Sequence, residues 1–277
     1  MHVPFRKMHG LGNDFVVIDA RARMIPITAH RAAALANRQT GVGCDQLIVL
    51  EPSDSADVRM RIFNRDGGEV ESCGNASRAI GLLLADERPG ETHIATRIET
   101  LGGMIVAHAG AHGISVAMGH PRFGWDDVPL AFAMDTLAMP VGWEDLEQPV
   151  AVNVGNPHVV FFVPDCATVD LARLGPLIET DALFPQRINV NVATLTGPDA
   201  ITLHVWERGA GLTRACGTGA CATAIAAMRR RLTGRKVVVT LPGGSLTIEW
   251  DATDQIIMTG PAATSFTGMF DEDDYPA

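Results

Sequence analysis

The stretch Leu203-His204-Val205-Trp206-Glu207-Arg208-Gly209, followed shortly by Ala215-Cys216-Gly217-Thr218-Gly219-Ala220, decides the fold, because it repeats an arrangement met 143 positions earlier. The first occurrence is Met60-Arg61-Ile62-Phe63-Asn64-Arg65-Asp66-Gly67, followed by Glu71-Ser72-Cys73-Gly74-Asn75. In both, a strand-forming run reaches a Gly-containing turn and then a Cys-Gly pair. The same offset relates Gly12-Asn13 to Gly155-Asn156, Arg65 to Arg208, Gln46 to Asn189 and Asn64 to Glu207. One offset shared by pairs spread this widely marks an internal repeat.

The flanking sequence agrees. After Cys73 the run Ala79-Ile80-Gly81-Leu82-Leu83-Leu84-Ala85 is apolar almost all round, and so is Ala220 to Met228 after Cys216. Such helices are buried ones. Ile98 to Val106 and Val237 to Trp250 read as β-hairpins turning at Leu101-Gly102-Gly103 and Pro242-Gly243-Gly244. Val3 to Met8 and Phe15 to Asp19 read as strands. Thr28 caps a helix from Ala29 to Arg38 that stops near Gly41, and Asp170 to Leu177 reads as a further helix. The expected fold is mixed α/β (α+β): two pseudo-symmetric domains, each a sheet wrapped around a central buried helix. The expected domains are residues 1–121 and 122–261, the second including an irregular linker over 122–149. The apolar piece 264–270 adds a strand to one of them.

Composition removes several classes of function. The 277 residues are 47% hydrophobic and 19% charged, enough to build a core. The net charge of −10 argues against nucleic acid or an anionic membrane as the main partner. Part of that excess lies in Asp271-Glu272-Asp273-Asp274. No apolar stretch approaches a membrane span. Only Lys7 and Lys236 could carry a Schiff base, and neither setting suits one, so a pyridoxal phosphate enzyme is not expected. Five cysteines in a chain of this size, with no signal peptide, suit reduced thiols and a cytoplasmic location.

Cys73 and Cys216 each sit where a turn becomes a buried helix. A helix N-terminus offers unpaired N–H groups and partial positive charge, which lowers a thiol pKa and binds carboxylate. Repeated halves can bring equivalent residues to opposite faces of one ligand. Two thiols so placed can invert a stereocentre: one, as thiolate, removes the α-proton and the other protonates the opposite face. The helix N-termini then stabilise the carbanion-like transition state through the substrate carboxylate. Domain closure that excludes water is expected with this chemistry. Cys44, Cys166 and Cys221 read as small core residues.

These motifs resemble the diaminopimelate epimerase family. The resemblance runs through Met8-His9-Gly10-Leu11-Gly12-Asn13-Asp14-Phe15, Gly43-Cys44-Asp45-Gln46, Phe63 to Gly67 and Glu71 to Asn75. It continues through Gly155-Asn156-Pro157-His158, Glu207 to Gly211, Ala215 to Ala220 and Leu241 to Ser245. It implies interconversion of LL- and meso-diaminopimelate without pyridoxal phosphate or metal, in lysine and peptidoglycan precursor synthesis. It also implies a two-domain homodimer, with 264–270 returning to the first domain. The family's catalytic cysteines fall on Cys73 and Cys216, and His158 and Glu207 match positions that assist them. Its substrate-binding positions fall on Asn13, Gln46, Asn64, Gly74, Asn75, Asn156, Asn189, Glu207, Arg208, Gly217 and Thr218. Glu207 suits the reacting ammonium, and Arg208 a distal carboxylate held bidentately. Three positions depart from the family pattern: Ala76 where Gly is usual, Cys44 where an aromatic is common, and Thr218 where Ser is frequent.

Other signals carry less. His108 and His112 lie among glycines that do not suit a zinc helix. Arg229-Arg230-Arg231 reads as a solvated helix end. The sequence also admits two rival functions: a racemase of another amino acid such as proline or hydroxyproline, and a thiol redox or ligand-binding protein.

Overall fold

The computed structural model describes residues 1–275 apart from 72, 92 and 93, so Ser72 of the Glu71–Asn75 motif lies outside the described residues. The chain divides into two compact units, Met1–Val116 with Gly260–Ala277, and Ala117–Thr259.

In the first unit, β1 (His2–Gly10), β2 (Asn13–Asp19), β3 (Gln46–Glu51), β4 (Val58–Asn64), β5 (Glu69–Val70), β6 (Ile94–Thr100), β7 (Gly103–Gly110) and β8 (Gly113–Ala117) form the sheet. β1 pairs antiparallel with both β2 and the C-terminal strand Ala263–Asp271. The parallel pairs β2–β3 and β4–β6 each need a crossover. The helices α1 (Ala29–Ala36) and α2 (Gly74–Asp86) provide them. Thr28 caps α1 through the Arg31 N–H at 3.2 Å. The helix stops at Ala36, two residues before the expected end, and Asn37 adopts extended backbone. Phe5, Val16, Ile18, Leu47, Val49 and Phe63 pack with Ala32 and Leu35 of α1 in one buried cluster. α2 packs against β1, β6 and β7, so the sheet curves round it. An added Cβ on Gly81 would lie 2.8 Å from Ala107 and 2.9 Å from Ile114, so glycine is what lets helix and sheet touch there.

The second unit has a short hairpin of β9 (Gly142–Trp143) and β10 (Leu146–Glu147), then β11 (Val150–Asn153), β12 (Pro157–Phe162), β13 (Asn189–Gly197), β14 (Ala200–Glu207), β15 (Gly211–Thr213), β16 (Lys236–Leu241), β17 (Gly244–Trp250) and β18 (Ile256–Gly260). From β11 onward the pairing succession is that of β1 to β8. The parallel pairs β12–β13 and β14–β16 are bridged by α3 (Leu171–Glu179) and α4 (Gly217–Arg229). α3 runs two residues past the expected end, and Asp170 caps it through the Arg173 N–H at 3.2 Å. Register repeats as well. Phe15 faces Gln46 as His158 faces Asn189, and Phe63 faces Glu69 as Trp206 faces Leu212. α4 is buried from Gly219 through Met228 and touches β11, β12, β13, β14, β16 and β17, so this sheet too wraps its helix.

Residues 122–149 contribute to the core of this unit. Val128, Leu130, Met139 and Leu146 are buried in one cluster with Phe161 and Ile178. The expectation of a solvated basic helix end does not hold for two of its three arginines. Arg229 lies 4.0 Å over the Phe123 ring, and Arg230 Nε donates to the Leu137 carbonyl at 3.1 Å. Their methylenes and planar heads tie the irregular segment to α4.

Candidate active site

In the first unit a two-residue turn with positive φ at Leu11 and Gly12 joins β1 to β2 and puts Asn13 at the first position of β2. Gln46 opens β3 and Asn64 ends β4, directly opposite one another. Gln46 Nε2 donates to Asn64 Oδ1 at 3.0 Å, while Gln46 Oε1 is buried with no partner among the described residues. That oxygen is an acceptor suited to a ligand donor. Cys73 is the N-cap of α2, half-buried and in extended conformation, and its side chain makes no capping bond. Gly74 and Asn75 follow as the first helical residues, so their N–H groups have no partner within the helix.

The Asn13 and Asn75 side chains turn toward the protein. Asn75 Nδ2 donates to Asn13 Oδ1 at 3.1 Å, and Arg78 donates to Asn75 Oδ1 at 2.8 Å. Asn13 Nδ2 donates to Asp45 Oδ2 at 3.1 Å. Cys73 Sγ makes a long contact of 4.0 Å with Asn13 Oδ1. Asp14 lies alongside, bonded by Lys7 and Arg38, each at 2.6 Å. Burial would raise its carboxyl pKa, but these two cations hold it well below the usual range.

In the second unit Cys216 is the N-cap of α4. Its sulfur accepts from the Gly219 N–H at 3.3 Å and lies 3.6 Å from Thr218 Oγ1. Gly217 opens the helix. The sequence led us to expect the helix terminus to lower this thiol's pKa. Instead burial raises it well above the ordinary value, and the Glu207 carboxylate adds to the rise against the Thr218 and Gly219 bonds. Desolvation of a thiolate outweighs two hydrogen bonds here, so Cys216 rests as the thiol. Glu207 ends β14 and accepts from Thr213 Oγ1.

His158 is fully buried, and its pKa is pushed down to about 3 by that burial, with the nearby Arg208 charge acting in the same sense. Its ring lies between two amides: Nε2 is 2.8 Å from Asn156 Oδ1, and Nδ1 is 3.1 Å from Asn191 Nδ2. Asn191 Nδ2 also donates to the Val159 carbonyl, so it faces His158 as a donor. This assigns Nδ1 as acceptor and Nε2–H as donor. Asn189 is likewise committed, donating to the Pro157 carbonyl at 2.8 Å and accepting from the Arg208 N–H at 3.0 Å. The Arg208 guanidinium is exposed and donates to the Gln186 carbonyl at 2.9 Å. Buried Glu179 holds the turn after Glu207, accepting from the Gly209 N–H at 3.0 Å and Trp206 Nε1 at 2.7 Å.

Within the first unit the structure thus joins Asn13, Cys73 and Asn75 in one network and Gln46 with Asn64 in another. Within the second it joins Asn156 with His158, Asn189 with Arg208, and Thr218 with Cys216. Sequence reasoning missed Asp45, Arg78, Asn191 and Glu179. Of these only Asp45 stood inside a quoted motif.

The chain belongs to the diaminopimelate epimerase family: that family's model matches residues 5–124 and 150–265. A diaminopimelate epimerase of Erythrobacter litoralis is 67% identical over 276 residues, covering 99% of this chain and 100% of the relative. One of Rhizorhabdus wittichii is 61% identical, covering 98% and 96%. Among solved structures, a phenazine biosynthesis protein of the PhzF family from Enterococcus faecalis shares the fold with a TM-score of 0.73 at 14% identity, covering 98% of this chain and all of that one. A hydroxyproline epimerase from Agrobacterium vitis does so with a TM-score of 0.66 at 15% identity, covering 99% and 94%.

Proposed function

We propose that this enzyme interconverts LL- and meso-diaminopimelate by two-base proton transfer at the α-carbon, with Cys73 and Cys216 as the acid/base pair. The carrying observation is that each cysteine caps a buried helix at equivalent positions of two topologically matched units, in a chain of this family. Burial and the Glu207 carboxylate favour the thiol at Cys216, so in one direction Cys216 is assigned as the proton donor and Cys73 as the base. After inversion the roles are exchanged, which makes the reaction reversible. The backbone N–H groups of Gly74 and Asn75, and of Gly217 and Thr218, stabilise the substrate carboxylate as charge develops at the α-carbon. Glu207 takes the reacting ammonium. His158, neutral at physiological pH, orients Asn156 and does not exchange protons. Gln46 and Asn64, together with Asn189 and Arg208, read the distal amino-acid end.

The reading requires no pyridoxal phosphate or metal. Lys7 is paired with Asp14 and Lys236 with Glu249, so both lysines are committed to carboxylates. It also takes from the family a cytoplasmic homodimer acting on a small molecule, without nucleic acid or membrane as partner. No helix among the described residues is long and apolar enough to cross a membrane.

The test is turnover of LL-diaminopimelate in heavy water under reducing conditions. Deuterium should enter the α-position as meso product forms. Cys73→Ala and Cys216→Ala should each lower kcat by about a thousandfold or more, within the range for acid/base groups. Faster turnover of proline than of diaminopimelate would assign the protein to another racemase class. Full activity in both cysteine variants would remove the mechanism.

A further inference from the structure

Three hydrogen bonds in the first unit form a directed chain. Arg78 donates to Asn75 Oδ1, Asn75 Nδ2 to Asn13 Oδ1, and Asn13 Nδ2 to Asp45 Oδ2. The guanidinium at one end can only donate, and the carboxylate at the other can only accept. An amide between two such groups cannot turn over without setting donor against donor or acceptor against acceptor. Asp45 is itself fixed: Arg38 donates to its Oδ1 at 2.8 Å and the Asp14 N–H to its Oδ2 at 3.1 Å. The consequence falls on Cys73, whose sulfur faces Asn13 Oδ1, a lone pair and not an N–H.

We propose that Asp45 is a positioning residue for the reaction: through Asn13 it presents an oxygen to Cys73, ready to accept the S–H bond as the substrate proton arrives. It acts through Asn13 alone. The inference rests on the reading of Cys73 as acid/base, and its test separates the two.

The test reverses the pair. Asn13→Asp puts a carboxylate against Asp45 and should lower kcat by roughly 10- to 100-fold, the scale of a misplaced catalytic contact. Adding Asp45→Asn restores a donor facing an acceptor: the last link then runs from position 45 to position 13, at the cost of the Asp14 N–H bond, while the side chain at position 13 still presents an oxygen to Cys73. The double variant should recover most of the lost kcat, with KM changed less than kcat. Alkylation of Cys73 by iodoacetamide at fixed pH, read by mass spectrometry, needs no substrate. It should slow at least about fivefold in Asn13→Asp, because a second carboxylate near the sulfur disfavours the thiolate, and recover in part in the double variant, where one of the two carboxylates is removed. Recovery of both readouts supports the proposal. A double variant no better than Asn13→Asp in either readout overturns it. Recovery of alkylation in an enzyme that never epimerises would leave Asp45 orienting Asn13 and place the failure in the assigned reaction.

Discussion

His158 makes the stability of the second unit depend on pH in a calculable way. Folded, its pKa lies at about 3, against the ordinary imidazole value of 6.5 in the unfolded chain. A histidine shifted downward costs nothing at pH 7.5, where it is neutral in both states. As the pH falls below 6.5 the unfolded chain takes up a proton that the folded one refuses, so stability is lost. The loss continues until the pH reaches the folded pKa. At pH 4.5 the unfolded histidine is protonated and the folded one still neutral. Two pH units at about 1.4 kcal/mol each give about 3 kcal/mol from this side chain. His158→Gln supplies an amide that can accept from Asn191 and donate to Asn156, without a titrating ring. All four tryptophans, Trp125, Trp143, Trp206 and Trp250, belong to the second unit, so their fluorescence follows its unfolding in urea. Between pH 7.5 and 4.5 the wild-type unfolding free energy should fall by about 2–3 kcal/mol more than that of His158→Gln. Parallel curves, differing by under about 0.5 kcal/mol over that range, would mean the imidazole protonates inside the fold and would refute the reasoning.

Gly175→Ala would set a Cβ 2.5 Å from the Trp206 ring, and should cost about 1–3 kcal/mol in urea unfolding through overpacking; an unchanged midpoint would deny that contact. Asp170→Ala removes the side-chain cap of α3 and should cost about 1 kcal/mol by the same measurement, whereas Asp170→Asn, which keeps a capping oxygen, should cost little. Burial and Glu207 keep Cys216 protonated, so its alkylation at pH 7, followed by mass spectrometry, should be slow and should accelerate only above the ordinary thiol range. Rapid labelling at pH 7 would show a thiolate there instead.

The repeat was legible because backbone geometry leaves marks at fixed positions. Glycine turns, helix caps and apolar helices recur at one offset, and pairing of the same strands in the same register follows from them. Thr28 and Asp170 both cap crossover helices, although the helix ends moved by two residues, where no glycine or proline enforces a stop. The segment 122–149 was harder to read. Its apolar residues Val128, Leu130, Met139 and Leu146 follow neither a 3.6-residue nor a two-residue period, yet all are buried. Irregular backbone gives no periodic signal to read. The state of Cys216 was also hidden. Sequence showed a helix start, which favours thiolate, and gave no measure of burial, which opposes it more strongly.

What distinguishes the two units is the polarity their equivalent asparagines present. Asn13 and Asn156 occupy matching positions before matching strands. Asp45 takes the Nδ2 end of Asn13, which turns Oδ1 toward Cys73. His158 Nε2–H takes the Oδ1 end of Asn156, which leaves Nδ2 as the end available to a ligand. The choice follows from which partner is acceptor-only and which is a donor, and the repeat supplies neither: Ile188 stands where the first unit has Asp45, and Phe15 where the second has His158. Duplication supplied the backbone frame and the two sulfurs. Substitution behind them made one half present an acceptor and the other a donor.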